Sequence, residues 1–514
     1  MTKTLPVVSL EQDYVGTTRR AGILMHITSL PSNYGVGDFG EEGFLFADFL
    51  SRSRQKYWQL LPLNPTSSDK GYSPYNSISS MAGNHLLLSP ELMVEEGLLD
   101  KNELEDYHLP KKAIIDFAAA ENVKDILFSK AFSNFSEGDF EPLSLEFKEF
   151  CEKESFWLND YALYVALKQE YKKTWVDWPA EYKVRDAEAL RKFSIEHEEP
   201  LNKIKWLQFI FFRQWARLKK YCNKLDIQLI GDTPFYISYD SADVWVNPDI
   251  FNLDSNGKMK GIAGVPPDYF NSSGQLWGMP VYRWTVLKQQ NYKWWVQRMR
   301  KNTELYDIIR LDHFRAFYNY WEVLASEKTA INGKWVLGPG SDFFETVKKE
   351  LGKLPFIAED LGGMDEGVIR LRNEFDLPGM KVLQFAFGNN MPGSVYIPHN
   401  YTTNCIVYTG THDNNTTKGW FRKDAGKTER KNIEWYTGAL PKEENINEVL
   451  ARMAYASVAK TVILPMQDIL ELDESARMNT PASVKGNWLW RMTPGQLLKS
   501  HEELLIDWVK LFNR

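Results

Sequence analysis

Three stretches in the second half of the sequence each run apolar residues straight into a carboxylate: IIRLDHF (308–314), PFIAEDLG (355–362) and VYTGTHDN (407–414). Grouped acids have two main chemical uses. They hold a divalent cation, or they divide proton donation, proton abstraction and nucleophilic attack among themselves. His313 and His412 each stand directly beside an acid in the sequence, and neighbours along a strand point to opposite sides. That arrangement suits hydrogen bonding to a substrate better than shared chelation. Cleaving a glycosidic bond needs one carboxyl group to protonate the departing oxygen and another to attack, or to activate water at, the anomeric carbon. A third acid can bind ring hydroxyls. Each stretch also has a purely structural reading. Arg310 and Asp312 share one strand face and can pair there, Glu359 and Asp360 can cap a following helix, and 411–414 can close a turn through side-chain hydrogen bonds.

What positions such acids is legible from the residues before them. A strand buried on both faces reads as a continuous apolar run, so the first polar residues after it stand at its carboxyl end. Eight such runs occur: 22–30, 57–65, 227–236, 308–314, 356–362, 380–387, 405–413 and 461–468. Helical patterns fill the gaps at 42–57, 284–302, 364–375 and 444–460. This alternation predicts an α/β fold, a (β/α)₈ barrel whose catalytic face is the carboxyl-terminal rim. The acids then follow the fourth, fifth and seventh strands.

Two gaps are too long for plain crossovers. Residues 66–226 predict an inserted, mostly helical subdomain on the catalytic face. Residues 237–283 are rich in Gly, Pro, Asp and Asn and predict an irregular lid, because long loops in compact domains are commonly functional. Tyr269, Phe270 and Trp277 lie on it. The length of 514 residues admits about three domains, but barrels with insertions run long as single units, and we read 1–514 as one.

Composition narrows the partners. Hydrophobic residues are 43%, aromatic 14% and charged 25%, ample for a large core. Lys and Arg number 61 against 68 Asp and Glu, a net charge of −7, which opposes nucleic-acid binding and fits a neutral substrate. The sequence has 18 Trp and 24 Tyr, more aromatic surface than a core usually requires, and sugar rings stack on such faces. Cys151, Cys222 and Cys405 are scattered without metal-ligand spacing, as expected of reduced thiols in the cytoplasm. The opening residues lack a leader-like apolar stretch, and no apolar run approaches the roughly 18 residues of a membrane span. No cofactor and no metal is expected, and the oligomeric state is not readable.

GDTPFY (231–236), IIRLDHFR (308–315), IAEDLG (357–362) and YTGTHDN (408–414) closely resemble the four short regions of the α-amylase superfamily as they occur in amylomaltases, the 4-α-glucanotransferases of glycoside hydrolase family 77. SPYNSISSMAGNHLLLSP (73–90), the GVPPDYF to GQLWG loop, LPGMKVLQFAF (377–387) and ARMNTP to GNWLWR (476–491) extend the match over nearly the whole chain. The loop and the 73–90 segment are not shared by ordinary α-amylases.

The resemblance implies a retaining mechanism with Asp312 as nucleophile, Glu359 as general acid/base and Asp413 as transition-state stabiliser. Retention predicts roughly 5 to 5.5 Å between the Asp312 and Glu359 carboxyls. Arg310 would orient Asp312, and His313, His412 and Asn479 would contact sugar. Asp232 resembles the family's sugar-site aspartate and Tyr75 its stacking aromatic. Tyr269, Phe270, Gln275 and Trp277 would cover the site and favour a sugar acceptor over water. The implied partners are malto-oligosaccharides, glucose and α-1,4-glucans. No run beyond the eighth strand resembles the C-terminal β-sandwich that many α-amylases append, and none is expected. One departure stands out: Ala482 in NTPA occupies a place where glycine is expected. A glucan hydrolase and a non-catalytic glucan-binding protein remain as alternatives.

Overall fold

The computed structural model describes residues 19–267, 272–483 and 485–514. Eight short apolar strands pair in parallel and close on themselves: Arg20–Leu24, Tyr57–Gln59, Gln228–Thr233, Ile308–Leu311, Phe356–Ala358, Gly379–Val382, Cys405–Tyr408 and Thr461–Pro465. Each begins within two residues of one of the eight apolar runs. Neighbours in sequence among these eight are neighbours in the barrel, and the last pairs with the first. Buried on both faces, these strands leave little room for polar side chains. Arg310 and Asp232 are the charged side chains buried in them, and they stand opposite one another in the register of the third and fourth strands. Between the fourth and fifth strands Leu311 pairs with Ala358. Continuing that register one residue brings Asp312 beside Glu359.

Helices form the outer layer. Glu41–Arg52 follows the first strand, Glu366–Glu374 precedes the sixth and Ile446–Ala456 precedes the eighth. The 284–302 pattern divides into Trp284–Gln289 and Lys293–Leu305, broken where Asn291 and Tyr292 take left-handed backbone angles. The 66–226 stretch is helical, with Phe117–Glu137, Glu141–Lys153 and Ser155–Tyr171 among its elements. Its final helix, Glu198–Lys224, lies on the barrel. Tyr221 donates to Asp48 at 2.6 Å, and Trp215 donates to the Leu305 carbonyl at 3.0 Å. This helix serves as the crossover into the third strand.

The 237–283 segment is not wholly irregular. Gly261–Val265 and Gln275–Pro280 are antiparallel strands, joined by Asn319–Leu324 and Gly333–Leu337 from the segment after the fourth barrel strand. The expectation of an irregular lid therefore missed a four-stranded sheet. Its strands, GIAGV, QLWGMP, NYWEVL and GKWVL, are short and all but NYWEVL carry glycine, so the sheet lacks the alternating pattern that marks half-buried strands. Gly264 is needed there, since a Cβ would come 2.3 Å from the Gln275 carbonyl oxygen.

Among the described residues no strand follows Thr461–Pro465, and the last element is the helix Lys499–Phe512. No described helix is long and apolar enough to cross a membrane. Ala482 sits at φ +64°, the third position of a turn in which Ser483 donates to the Thr480 carbonyl at 3.0 Å. With Pro481 at the second position, such a turn favours glycine at the third. Ala482→Gly should raise stability by about 0.5–1 kcal/mol, the left-handed strain exceeding the added freedom of the unfolded chain. A higher thermal unfolding midpoint is the check.

Candidate active site

Arg310 is almost wholly buried at the barrel mouth, with 3% of its side chain exposed. Its Nη1 donates to both oxygens of Asp232 at 2.8 Å and to Oδ1 of Asp312 at 2.9 Å. Burial alone would lower the guanidinium, but the two carboxylates outweigh it and hold Arg310 well above its ordinary range. The Tyr75 hydroxyl also donates to Oδ2 of Asp232, at 2.7 Å. Burial, then the neighbouring Asp232, keeps that hydroxyl protonated far above the usual tyrosine range. The Tyr75 ring lies nearly parallel to His412, centroids 5.2 Å apart, and 5.8 Å from Trp488. The i, i+2 ion pair is thus present, and it is one edge of a larger network.

Glu359 is the first residue beyond the fifth strand. Its Oε2 accepts the His313 backbone N–H at 2.8 Å, and its Oε1 accepts the Leu361 N–H at 3.1 Å. His313 presents that N–H because it adopts φ +49° immediately after Asp312. Burial pushes the Glu359 carboxyl up to about 8, with Arg310 opposing and Asp312 adding to the rise. Its neighbour Asp360 faces elsewhere, accepting from the Met380 N–H at 2.7 Å and from Arg372. The cap of the following helix is Asp365, not Glu359 or Asp360.

Asp413 sits on a tight turn after the seventh strand. Thr411 donates through its N–H and its hydroxyl to the Asn414 side chain, both at 2.9 Å. The turn reading of 411–414 is therefore also correct, and it is the device that aims Asp413. Because this segment is a turn, His412 and Asp413 do not point apart as strand neighbours would. His412 Nε2 lies 3.5 Å from Asp413 Oδ2. Asn479 donates to Asp413 Oδ1 at 2.6 Å. Arg477 fixes both partners, donating to the carbonyls of Asn479 at 2.7 Å and Asp413 at 2.8 Å.

Gln275 and Trp277 come from the sheet above the rim. The Trp277 indole donates to Gln275 Oε1 at 3.3 Å and meets the His313 ring edge-on, centroids 4.9 Å apart. Burial depresses His313 to about 4, leaving it neutral. Tyr269 and Phe270 lie outside the described residues.

The sequence reading did not single out Arg477, Trp488, Tyr236 or His26. Tyr236 lies 5.8 Å from Trp277, between centroids. His26 is buried and accepts the Leu61 N–H at Nδ1. Burial, then His412, lowers it to about 3. As the first polar residue after the first strand, His26 was findable by the rule that found the acids. Arg477 acts on backbone carbonyls and leaves no pairing signal in sequence. Among the described residues no three His, Cys, Asp or Glu side chains are grouped as metal ligands.

The family model described as 4-alpha-glucanotransferase, glycoside hydrolase family 77, matches residues 25–498. The chain belongs to this family. A 4-alpha-glucanotransferase of Streptococcus pneumoniae is 44% identical over 500 residues, covering 96% of this chain and 97% of that protein. One from Aquifex aeolicus is 44% identical over 481 residues, covering 92% and 95%. The solved amylomaltase from Streptococcus agalactiae in complex with acarbose superposes with a TM-score of 0.92 at 39% identity, covering 96% of this chain and 99% of that one. The protein is accordingly a 4-alpha-glucanotransferase, built as the amylomaltase-type (β/α)₈ barrel. The network around Arg310, Glu359 and Asp413 stands at the carboxyl-terminal rim, where enzymes of this barrel type carry their chemistry.

Proposed function

We propose that this 4-alpha-glucanotransferase moves a segment of an α-1,4-glucan to the 4-hydroxyl of glucose or of another glucan chain with retention at the anomeric carbon, using Asp312, Glu359 and Asp413. The observation that carries this reading is the contrast between adjacent carboxyls. Glu359 is pushed up to about 8 and so holds a proton at neutral pH, while Asp312 accepts the buried Arg310 guanidinium. A carboxyl that holds its proton beside one that accepts a guanidinium divides naturally with it into acid and nucleophile. Asp312 would attack the anomeric carbon as Glu359 gives its proton to the departing glycosidic oxygen. The covalent glycosyl-enzyme would then meet an acceptor, whose 4-hydroxyl loses its proton to Glu359 as it displaces Asp312. Asp232, Asp312 and Asp413 outnumber Arg310 and Arg477 and give an anionic rim suited to the positive charge that develops on the sugar.

Transfer depends on the acceptor reaching that intermediate before water. Trp277 and Gln275 form one side of the cover, with Tyr269 and Phe270 assigned to the same loop. Tyr75 and His412 supply a flat surface for the donor sugar, and His313, neutral, supplies a hydroxyl partner. We read 66–226 as a helical insertion whose last helix belongs to the barrel, and 237–283 as the segment that carries the lid. The free cysteines Cys151, Cys222 and Cys405 support a cytoplasmic setting.

Pure maltotriose tests the reaction. Glucose together with a ladder of longer maltodextrins is the expected product pattern. Products no longer than the substrate would instead identify a hydrolase. Asn479→Ala tests the aim of Asp413. Loss of one hydrogen bond to a charged group corresponds to about a 10- to 100-fold fall in kcat/KM, read as initial glucose release from maltotriose. Unchanged rates would remove Asn479 from the site.

A further inference from the structure

The four-stranded sheet has two faces. One carries Trp277 and Gln275 toward His313. The other carries Trp321 and Trp335, which stand directly opposite one another in the register of Asn319–Leu324 and Gly333–Leu337. Gly333–Leu337 is the sheet's edge, and Trp335 on it is 44% exposed. This indole is held in a fixed attitude. Trp321, its own Nε1 donating to the Ala330 carbonyl at 2.8 Å, packs against it at 67° with centroids 5.2 Å apart. The Arg315 guanidinium lies 4.1 Å from the Trp335 ring centroid. Arg315 is fixed in turn by the Gly363 carbonyl and, at 2.7 Å, by Asp365. Asp365 keeps 42% of its side chain exposed.

An ordered, partly exposed indole beside a partly exposed carboxylate is the surface a neutral sugar recognises. The ring's C–H groups cover the indole while a hydroxyl donates to the acid. Its place in the fold gives it an occupant. Residues 361–363 run from the Leu361 N–H that holds Glu359 to the Gly363 carbonyl that holds Arg315. This loop therefore joins the seat of the proton donor to the arginine that lies over Trp335.

Building on the reaction read above, we propose that the outer sheet face around Trp335 binds α-1,4-glucan, taking sugar rings of the leaving or accepting chain several units beyond the bond that is cut. The platform would favour long chains over short ones without touching the chemistry.

Trp335→Ala should leave kcat on maltotriose within about twofold of the parent, since so short a substrate does not reach the platform. Retardation in an amylose-containing native gel, and the KM for long linear maltodextrin as acceptor, should each weaken roughly threefold to tenfold, the worth of one aromatic contact. Trp335→Phe keeps an aromatic ring under Arg315 and should give an intermediate loss, which covers the case where the alanine variant does not fold. Trp435→Ala removes another exposed indole, 68% exposed on the helix Lys427–Thr437, and should leave retardation unchanged. Parental retardation in both Trp335 variants overturns the proposal. So does a shift in sedimentation between parent and variant, which would mark this face as a contact between copies of the chain. Failure of the transfer reading is separate: the parent would then give no ladder from maltotriose, whereas failure of the platform leaves that ladder intact.

Discussion

Asp312→Asn should reduce transfer from maltotriose by a factor on the order of 10⁴ to 10⁶, the loss seen when a covalent nucleophile is removed from an otherwise intact site. Binding should survive. Asparagine keeps an oxygen that accepts from Arg310 Nη1, now 2.9 Å from Asp312 Oδ1, and Arg310 stays anchored by its two contacts to Asp232. Isothermal titration with maltoheptaose should therefore give heat of binding close to the parent's, while product analysis shows none of the ladder. Rates within tenfold of the parent would remove Asp312 from the role of attacking group. Loss of binding along with turnover would point to collapse of the Arg310 network.

Replacement of Glu359 by Gln should lower kcat/KM by roughly 10² to 10⁴, the usual worth of a placed proton donor, and should change how rate depends on pH. The Glu359 carboxyl is pushed up to about 8 by burial, with Arg310 pulling it down and Asp312 pushing it up. It is protonated below that pH and ionised above it, and the first step needs the proton. The parent's kcat/KM should thus fall as pH rises through about 8, and the variant's residual rate should lack this limb. A maltosyl fluoride, whose leaving group needs no proton, separates the two half-reactions. The Gln variant should release about one equivalent of fluoride in a burst and then stall, since no base remains to activate the acceptor. A parental pH profile in the variant would assign the limb to another group.

The barrel was legible because parallel strands buried on both faces write themselves as unbroken apolar runs, and the acids were legible because they end those runs. Asp312, Glu359 and Asp413 needed nothing more. Their distinct environments were not legible. That Asp232 meets Arg310 depends on a register between strands about 80 residues apart in sequence, and that Glu359 is gripped by main-chain N–H groups depends on the turn at His313. The sheet carrying Trp277 was hidden by its glycines. Ala482 shows the converse: the sequence departed from the expected glycine, and the backbone kept the left-handed angle anyway.

The grip on Glu359 has a bearing on how activity is gained and lost. One of its two donors, the His313 N–H, belongs to the connection after the fourth strand. The same two connections are tied again by Phe314 donating to the Glu359 carbonyl at 3.2 Å and by Glu359 donating to the Leu311 carbonyl at 3.1 Å. The Leu361 N–H is a local half of the proton donor's seat; the other half exists only once two separately formed βα units have docked. Parallel pairings of this kind are non-local and form late in folding. They also open only with the cooperative unit that contains them. On heating, catalytic competence should therefore disappear together with the barrel's far-ultraviolet signal and return with it on cooling. Residual activity after the barrel signal has gone would show that the acid keeps its place without the docked connections.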